Sequence, residues 1–397
     1  AKGGELPGVW AAGNFGSNTA RAFESLRANR PGEEDFCAEF WVGWFDHWGK
    51  GHQSRPVENG VDTFYEDFEE ILRRGAHCNI YMFHGGTNFG FSAGANGNRL
   101  KEYEATITSY DYDCMVSECG DPTERFFRCQ KLIRKYLDNP RITEAVSDSK
   151  KIVPKPVKLT GSTSLFSQLA RLDGVSGTSG TPPTLEELGE NSGFVYYKHI
   201  LHDIHPGSSL CLFEANDFVQ VWEDRSYLGS RMRCTGEDPF KLTKNGTLEL
   251  ELLVENLGRI NYGPYTGIDR KGIAGGVALE LEYQFGWEYK ALPLKDLSRL
   301  EFGPFANESG QVMFHRGEFE LQETGEAFLS IPGIKGTVWI NGFHLGRYWN
   351  IGPAKTLYVP SPVLKKGKNE LIILEQEKLN GDEVHFNAFH DLGEPPR

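Results

Sequence analysis

Cys37-Ala38-Glu39-Phe40-Trp41-Val42-Gly43-Trp44-Phe45-Asp46-His47-Trp48-Gly49 sets one carboxylate, Glu39, beside Trp41, Trp44 and Trp48 within ten residues. Phe36 to Trp41 reads as an apolar strand, and Glu39 stands near its C-terminal end, where α/β barrels place their chemistry. Sugar rings present flat C–H faces that stack on indoles, and glycoside hydrolysis needs a carboxylate at the anomeric carbon. A core strand does not ordinarily carry three tryptophans and an Asp-His pair. The stretch therefore predicts a carbohydrate site with Glu39 as its leading catalytic candidate. The plain alternative is a structural carboxylate paired with Arg or His, with at least one of the tryptophans serving as packing.

On either side of this strand the chain alternates strand and helix. Val9 to Asn14 predicts a strand, and Asn18 to Ala28 a helix with Ala20, Phe23 and Leu26 inward. Asp62 to Arg74 is amphipathic, with Phe64, Phe68, Ile71 and Leu72 on one face and Gly75 as C-cap. Cys78 to Phe83 predicts a third buried strand. Asp121-Pro122 then opens a helix as N-cap and first position, with Phe126, Cys129, Ile133 and Tyr136 on one face. Three strand–helix units in a row imply parallel strands with right-handed crossovers. A closed barrel of eight units takes roughly 250 residues, about 30 per unit. Residues 1–145 supply only three and cannot close a barrel by themselves.

From about residue 145 the pattern changes. Residues 146–190 are rich in Ser, Thr, Gly and Pro, most densely from Gly174 to Pro183, and read as a linker. Beyond it, Leu248, Leu250 and Leu252 alternate with Glu249 and Glu251, and Leu279, Leu281, Tyr283 and Phe285 alternate with Glu280, Glu282 and Gln284. Period two with closely spaced turns predicts β-sandwiches, placed at 191–275 and 276–397. The fold class is thus α/β followed by all-β.

The 397 residues carry a net charge of −13, which argues against nucleic acid and anionic membrane surfaces as partners. No run is long and apolar enough to span a membrane. Seven cysteines, an odd number without C-x-x-C spacing, point to buried free thiols in a reducing compartment and so to a cytoplasmic protein, with one Cys114–Cys119 bridge and a secreted or cell-surface location as the alternatives. His199, His202 and His205 invite a metal reading, but no carboxylate or Cys completes a ligand set, and no metal is predicted. His84-Gly85-Gly86-Thr87-Asn88-Phe89-Gly90 follows a strand without the Lys-Ser/Thr of a phosphate loop. Thr108-Ser109-Tyr110-Asp111-Tyr112-Asp113 offers phenols and carboxylates able to bond sugar hydroxyls or orient a nucleophile, or simply a polar turn.

Together these motifs resemble the β-galactosidases of glycoside hydrolase family 35. The Glu39–Trp48 segment looks like the family's nucleophile segment, and Tyr81 to Gly90 like its next strand and loop. Thr108 to Asp113 with Ser117-Glu118-Cys119-Gly120-Asp121 is similar to the family's SYDYD…SEAGD. Asn341 to Pro353 resembles its galactose-binding-like β domain, and Glu255 to Gly263 is a further signature. The likeness spans nearly the whole chain and looks nearest to compact bacterial members. It implies strands 6–8 of a TIM barrel, then two jelly-roll, galactose-binding-like sandwiches.

The resemblance implies exo-acting, retaining hydrolysis of terminal β-D-galactosides without a cofactor, with Glu39 as nucleophile. Tyr81 and Tyr110 or Tyr112 fall where family tyrosines meet the sugar or the nucleophile. Trp41 stands where some relatives carry Tyr, Trp44 and Trp48 would line the mouth and aglycone side, and Tyr262 would reach in from the first β domain. One departure matters most. The family's acid/base Glu lies in an ENEYG-type motif on an earlier strand, and no such motif occurs here. A second polypeptide carrying the N-terminal part of the barrel is therefore an expected partner, unless the chain is a fragment. Two other readings stay open: an exo-glycosidase for another β-linked sugar such as a glucosaminide, or a non-catalytic glycan-binding protein.

Overall fold

The computed structural model describes residues 6–53, 62–99, 102–138 and 145–394. β1 (Gly13–Phe15), β2 (Phe36–Trp41) and β3 (His77–Tyr81) form a parallel sheet in that order. α1 (Thr19–Asn29) and α2 (Phe64–Arg73) make the crossovers. Phe23, Cys37, Phe40, Phe64, Phe68, Ile71 and Cys129 meet in the core between sheet and helices. The apolar stripe of α2 drives this packing, whereas Ala20 of α1 lies exposed. Among the described residues β1 and β3 each have a strand neighbour on one side only.

The helix α3 (Glu124–Tyr136) departs from its predicted cap. Thr123, not Asp121, is the N-cap, its Oγ1 accepting from Phe126 N at 3.4 Å. Asp121 instead accepts from Ser149 N at 2.7 Å and from Lys151. Tyr136, predicted inward, donates to Glu69 on the surface.

β2 carries one extra residue relative to both neighbours. Gly13 and Asn14 of β1 pair with Cys37 and Glu39, skipping Ala38, and Cys78 and Ile80 of β3 pair with Cys37 and Phe40. Such a bulge turns the strand locally and re-aims side chains. Cys37 and Phe40 both reach the helix-side core although three residues apart.

β4 (Gly94–Arg99) and β5 (Glu102–Ala105) form a hairpin, and Arg259–Tyr262 joins β4 in parallel. The α/β segment is thereby stitched to the all-β part of the chain, which comprises two units. In one sheet Gly193–Ile204, Ser209–Glu223, Gly246–Asn256, Gly272–Leu279 and Trp287–Leu292 associate around Val195, Leu212, Val221, Leu252 and Trp287. In the other, Met313–Leu321, Lys335–Ile340, Phe343–Trp349 and Gly367–Glu375 pack over Val338, Ile340, Leu371 and Ile373.

Strand pairing revises the predicted boundaries. Gly272–Leu279 and Trp287–Leu292 belong to the first β sheet, so that unit runs past residue 275. Residues 146–190 are not a linker: Val157–Ser164 pairs with Met313–Leu321, and Ser176–Ser179 with Trp287–Leu292. The chain thus lays down a strand of the C-terminal unit before building the first one. Small buried residues such as Gly161 and Ser162 hide that strand from hydrophobic periodicity. The alternating run 279–285 is a short hairpin, with Leu281 95% exposed, and not a core strand.

Two buried charge networks lock the units together. Asp217 accepts from Tyr103 of the hairpin at 2.9 Å and from Lys271 and Arg233 at 2.8 and 2.7 Å. Glu255 receives Lys335, Arg347 Nε at 2.7 Å and Gln376 Nε2 at 2.8 Å. Arg347 also exchanges backbone bonds with Thr108 Oγ1, 3.0 Å from its N and 2.7 Å from its O. Among the described residues no helix is long and apolar enough to cross a membrane.

Candidate active site

Glu39 sits on the bulged C-terminal end of β2, and its Oε2 accepts from Trp41 Nε1 at 3.1 Å. An indole N–H on a carboxylate fixes the carboxylate's orientation and leaves its other oxygen available. Trp41 pairs in register with Tyr81 at the end of β3. The chain between Val42 and Phe45 then turns beneath the Tyr110–Tyr112 segment, where Gly43 is required: a Cβ there would meet Tyr112 O at 1.8 Å. Gly85, after β3, is held to the same rule by Tyr110 O at 1.7 Å.

These turns assemble an aromatic cluster. Trp41 meets Trp44 edge-on at 6.3 Å, and Trp44 lies 6.1 Å from Tyr112. Tyr112 stacks on Tyr110 at 5.8 Å and receives the edge of Tyr81 at 5.7 Å. Phe45, a ring that the motifs do not single out, stacks between Trp44 and Tyr110 at 5.4 and 5.1 Å. Its place inside the aromatic run is the signal that could have found it. Burial raises the Tyr112 phenol, with Tyr81, Cys114 and the Glu39 charge adding to it, so Glu39 and Tyr112 share one environment. Burial and the Tyr81 phenol likewise push Tyr110 up. Both phenols stay protonated at neutral pH and so each keeps an O–H able to donate a hydrogen bond.

Glu39, Trp41, Trp44, Tyr81, Tyr110 and Tyr112 therefore come together, while two expected members do not join them. Trp48 packs on Trp349 at 6.1 Å at the seam with the C-terminal unit, beside Phe218 and Leu257. There it lines a cavity of about 550 Å³ shared with Arg347 and Ile351. Tyr262, 70% exposed, ends the strand paired with β4 opposite Asn96. A smaller cavity of about 270 Å³ lies nearby, bounded by Phe45, Tyr110, Asn256, Arg259 and Asn261.

The other acids hold loops. Asp46 binds His52 Nδ1 at 2.8 Å and Gln53 N at 2.6 Å, and the first of these bonds raises the pKa of the His52 imidazole. Asp113 accepts from Arg125 at 2.5 Å, and Asp111 from Asp113 N at 3.0 Å. His199, His202 and His205 face Gly286 O, Thr247 and Asn245 respectively. Among the described residues no group of His, Cys, Asp and Glu is placed to hold a metal ion.

Residues 1–136, which carry this cluster, match the family described as "Glycosyl hydrolases family 35". The α/β segment belongs to glycoside hydrolase family 35. The family-35 segment is followed by matches to "Beta-galactosidase, first all-beta domain" over residues 182–295 and to "Beta-galactosidase, galactose-binding domain" over residues 312–369. The chain is 33% identical to Beta-galactosidase 1 of Dictyostelium discoideum, covering 94% of this chain and 60% of that one. It is also 33% identical to the beta-galactosidases of Xanthomonas manihotis and Homo sapiens, covering 90% and 95% of this chain and 58% of each relative. It thus spans about three-fifths of these relatives, and amoeba, bacterium and mammal resemble it equally.

Proposed function

We propose that this chain carries the nucleophile of an exo-acting, retaining β-galactosidase that releases terminal β-D-galactose from glycans. The observation that carries this reading is the Glu39 carboxylate, held by Trp41 on the bulge of β2 and acting on the Tyr112 phenol, which itself packs against Tyr81 and Tyr110. In the first step a Glu39 oxygen attacks the anomeric carbon as the bond to the aglycone oxygen breaks, and a second carboxyl group protonates that oxygen. Water, giving a proton back to that second carboxyl group, then displaces Glu39 from the galactosyl-enzyme, releasing galactose and restoring the free Glu39 carboxylate. The Trp41 N–H orients Glu39, and the protonated tyrosines donate to sugar hydroxyls or to the nucleophile. No cofactor takes part.

A retaining pair of carboxyl groups stands roughly 5–5.5 Å apart. In this reading β1–β3 are the last three strands of an eight-stranded barrel. The acid/base carboxyl comes from a separate polypeptide or from chain outside these 397 residues. The absence of an ENEYG-type motif from the sequence supports this. Incubation with a deoxyfluoro galactosyl fluoride, whose slow second step traps the glycosyl-enzyme, tests the assignment. Peptide mass mapping is expected to place the adduct on Glu39. An adduct on any other residue overturns it.

A further inference from the structure

The Glu118 side chain is buried among neutral donors rather than cations. Its carboxyl, 6% exposed, accepts from Thr87 Oγ1 at 2.6 Å and from Ser109 Oγ at 2.9 Å. Thr87 lies on the loop after β3, and Ser109 directly precedes Tyr110. Ser109 Oγ also accepts from Asp111 N at 3.2 Å, and Tyr110 N donates to Gly86 O at 3.0 Å. His84 Nε2 closes the arrangement on Glu118 O at 3.2 Å. One carboxyl group therefore ties the loop and the aromatic turn together, with both oxygens engaged. Removing such a bond leaves buried polar atoms unpaired, so the link is stiff.

We propose that Glu118 is a positioning residue that sets, through Ser109 and Thr87, where the Tyr110 and Tyr112 rings stand beside Glu39, and thereby the affinity for galactosides. This rests on reading the Glu39 cluster as the sugar site. Burial, reinforced by Asp111, pushes Glu118 up to about 7 against its two hydroxyl donors. Both of its protonation states are then populated near neutrality. Ionised, it accepts from both hydroxyls; protonated, it must give up one acceptor role, and the turn loosens as pH falls. The titratable groups acting with it are Asp111 and, from the C-terminal unit, Tyr358, which donates to Glu326 at 2.6 Å and is also acted on by Cys119, while His84 bonds its backbone oxygen. His390 stands 3.8 Å from Asp111.

Fluorine NMR of the fluorotyrosine-labelled 397-residue chain, assigned with Tyr110→Phe and Tyr112→Phe, reads the ring positions directly. In the native chain the Tyr110 signal is expected to titrate with a midpoint about 7, and in Glu118→Gln to be flat. Ser109→Ala removes one donor to the ionised form and is expected to move the midpoint to higher pH, which keeps the test open should Glu118→Gln fail to fold. The same titration in Glu118→Gln would assign it to His84, Asp111 or His390 and overturn the proposal, as would an unmoved midpoint in Ser109→Ala. Calorimetry with isopropyl thiogalactoside gives the second readout. Glu118→Gln is expected to weaken binding about tenfold, the worth of one charge-assisted hydrogen bond. Equal binding by both proteins sinks the proposal. If neither binds, the sugar-site reading fails, while the ring titration still decides the role of Glu118 in placing the turn.

Discussion

Glu39 and Glu255 both end strands, and their surroundings are opposites. Glu255 is 1% exposed and saturated by Lys335, Arg347 and Gln376, with Lys335 also over the rings of Phe218 and Trp349. Burial works against its charge, but the two cations outweigh burial and hold it below the usual carboxylate range. Glu39 is only partly buried and is oriented by a neutral indole. A carboxylate wrapped in cations is a poor nucleophile and a good rivet. One oriented by a single N–H keeps its charge available for chemistry. The seam between units uses its ion pairs for rigidity, while at the end of β2 the carboxylate accepts from a neutral donor, Trp41.

The contrast yields an ordered set of tests. Under the proposed function, Glu39→Gln is expected to lower turnover of an aryl β-galactoside by at least about 10³-fold, as loss of a nucleophile does. Its thermal unfolding should stay within about 0.5 kcal/mol of the native chain. A large destabilisation would make Glu39 a structural carboxylate and erase the contrast. Glu255→Ala strands two buried cations and is expected to cost about 3–5 kcal/mol in denaturant unfolding.

Stability against pH separates the buried acids further. Glu118 holds its proton up to about 7, whereas an unfolded glutamate releases it near 4.5. Between those values the folded state binds more protons, so this group makes stability fall as pH rises. Glu255, held low, contributes stability that is present above the ordinary carboxylate range and lost as pH falls through its folded value. Glu118→Gln is therefore expected to flatten a decline that Glu255 does not produce, and unfolding curves at several pH values will show it. The smallest effect is at the α3 cap: Thr123→Ala should cost about 1 kcal/mol, and an unchanged midpoint would deny Thr123 its capping role.

Much of the α/β segment was legible because its signals are local. The stripe Phe64, Phe68, Ile71 identifies α2, and the aromatic run around Glu39 supplies the rings that the fold clusters. The β units were read less well. Strand Val157–Ser164 is polar in composition yet central in its sheet, and Leu281 is apolar yet at a hairpin tip. In each case burial was decided by partners distant in sequence, which a window of neighbouring residues does not contain. Trp48 shows the same limit. Its motif placed it with Trp41 and Trp44, but the packing of Trp349 and Phe218 takes it to the seam.

The sequence by itself determined the chemistry on offer: a carboxylate among indoles and phenols, a parallel strand–helix start, alternating β segments and the family-35 motifs. These rest on residue type and short-range period, which the backbone geometry of helix and strand converts directly into faces. Tertiary structure alone decided which members meet. The bulge at Ala38 brings Cys37 and Phe40 together in the helix-side core, Gly43 and Gly85 let the Tyr110–Tyr112 turn close over β2 and β3, and Glu118 ties that turn to the loop after β3. Each depends on contacts between segments tens of residues apart, where steric fit and the need to satisfy buried polar groups choose the arrangement.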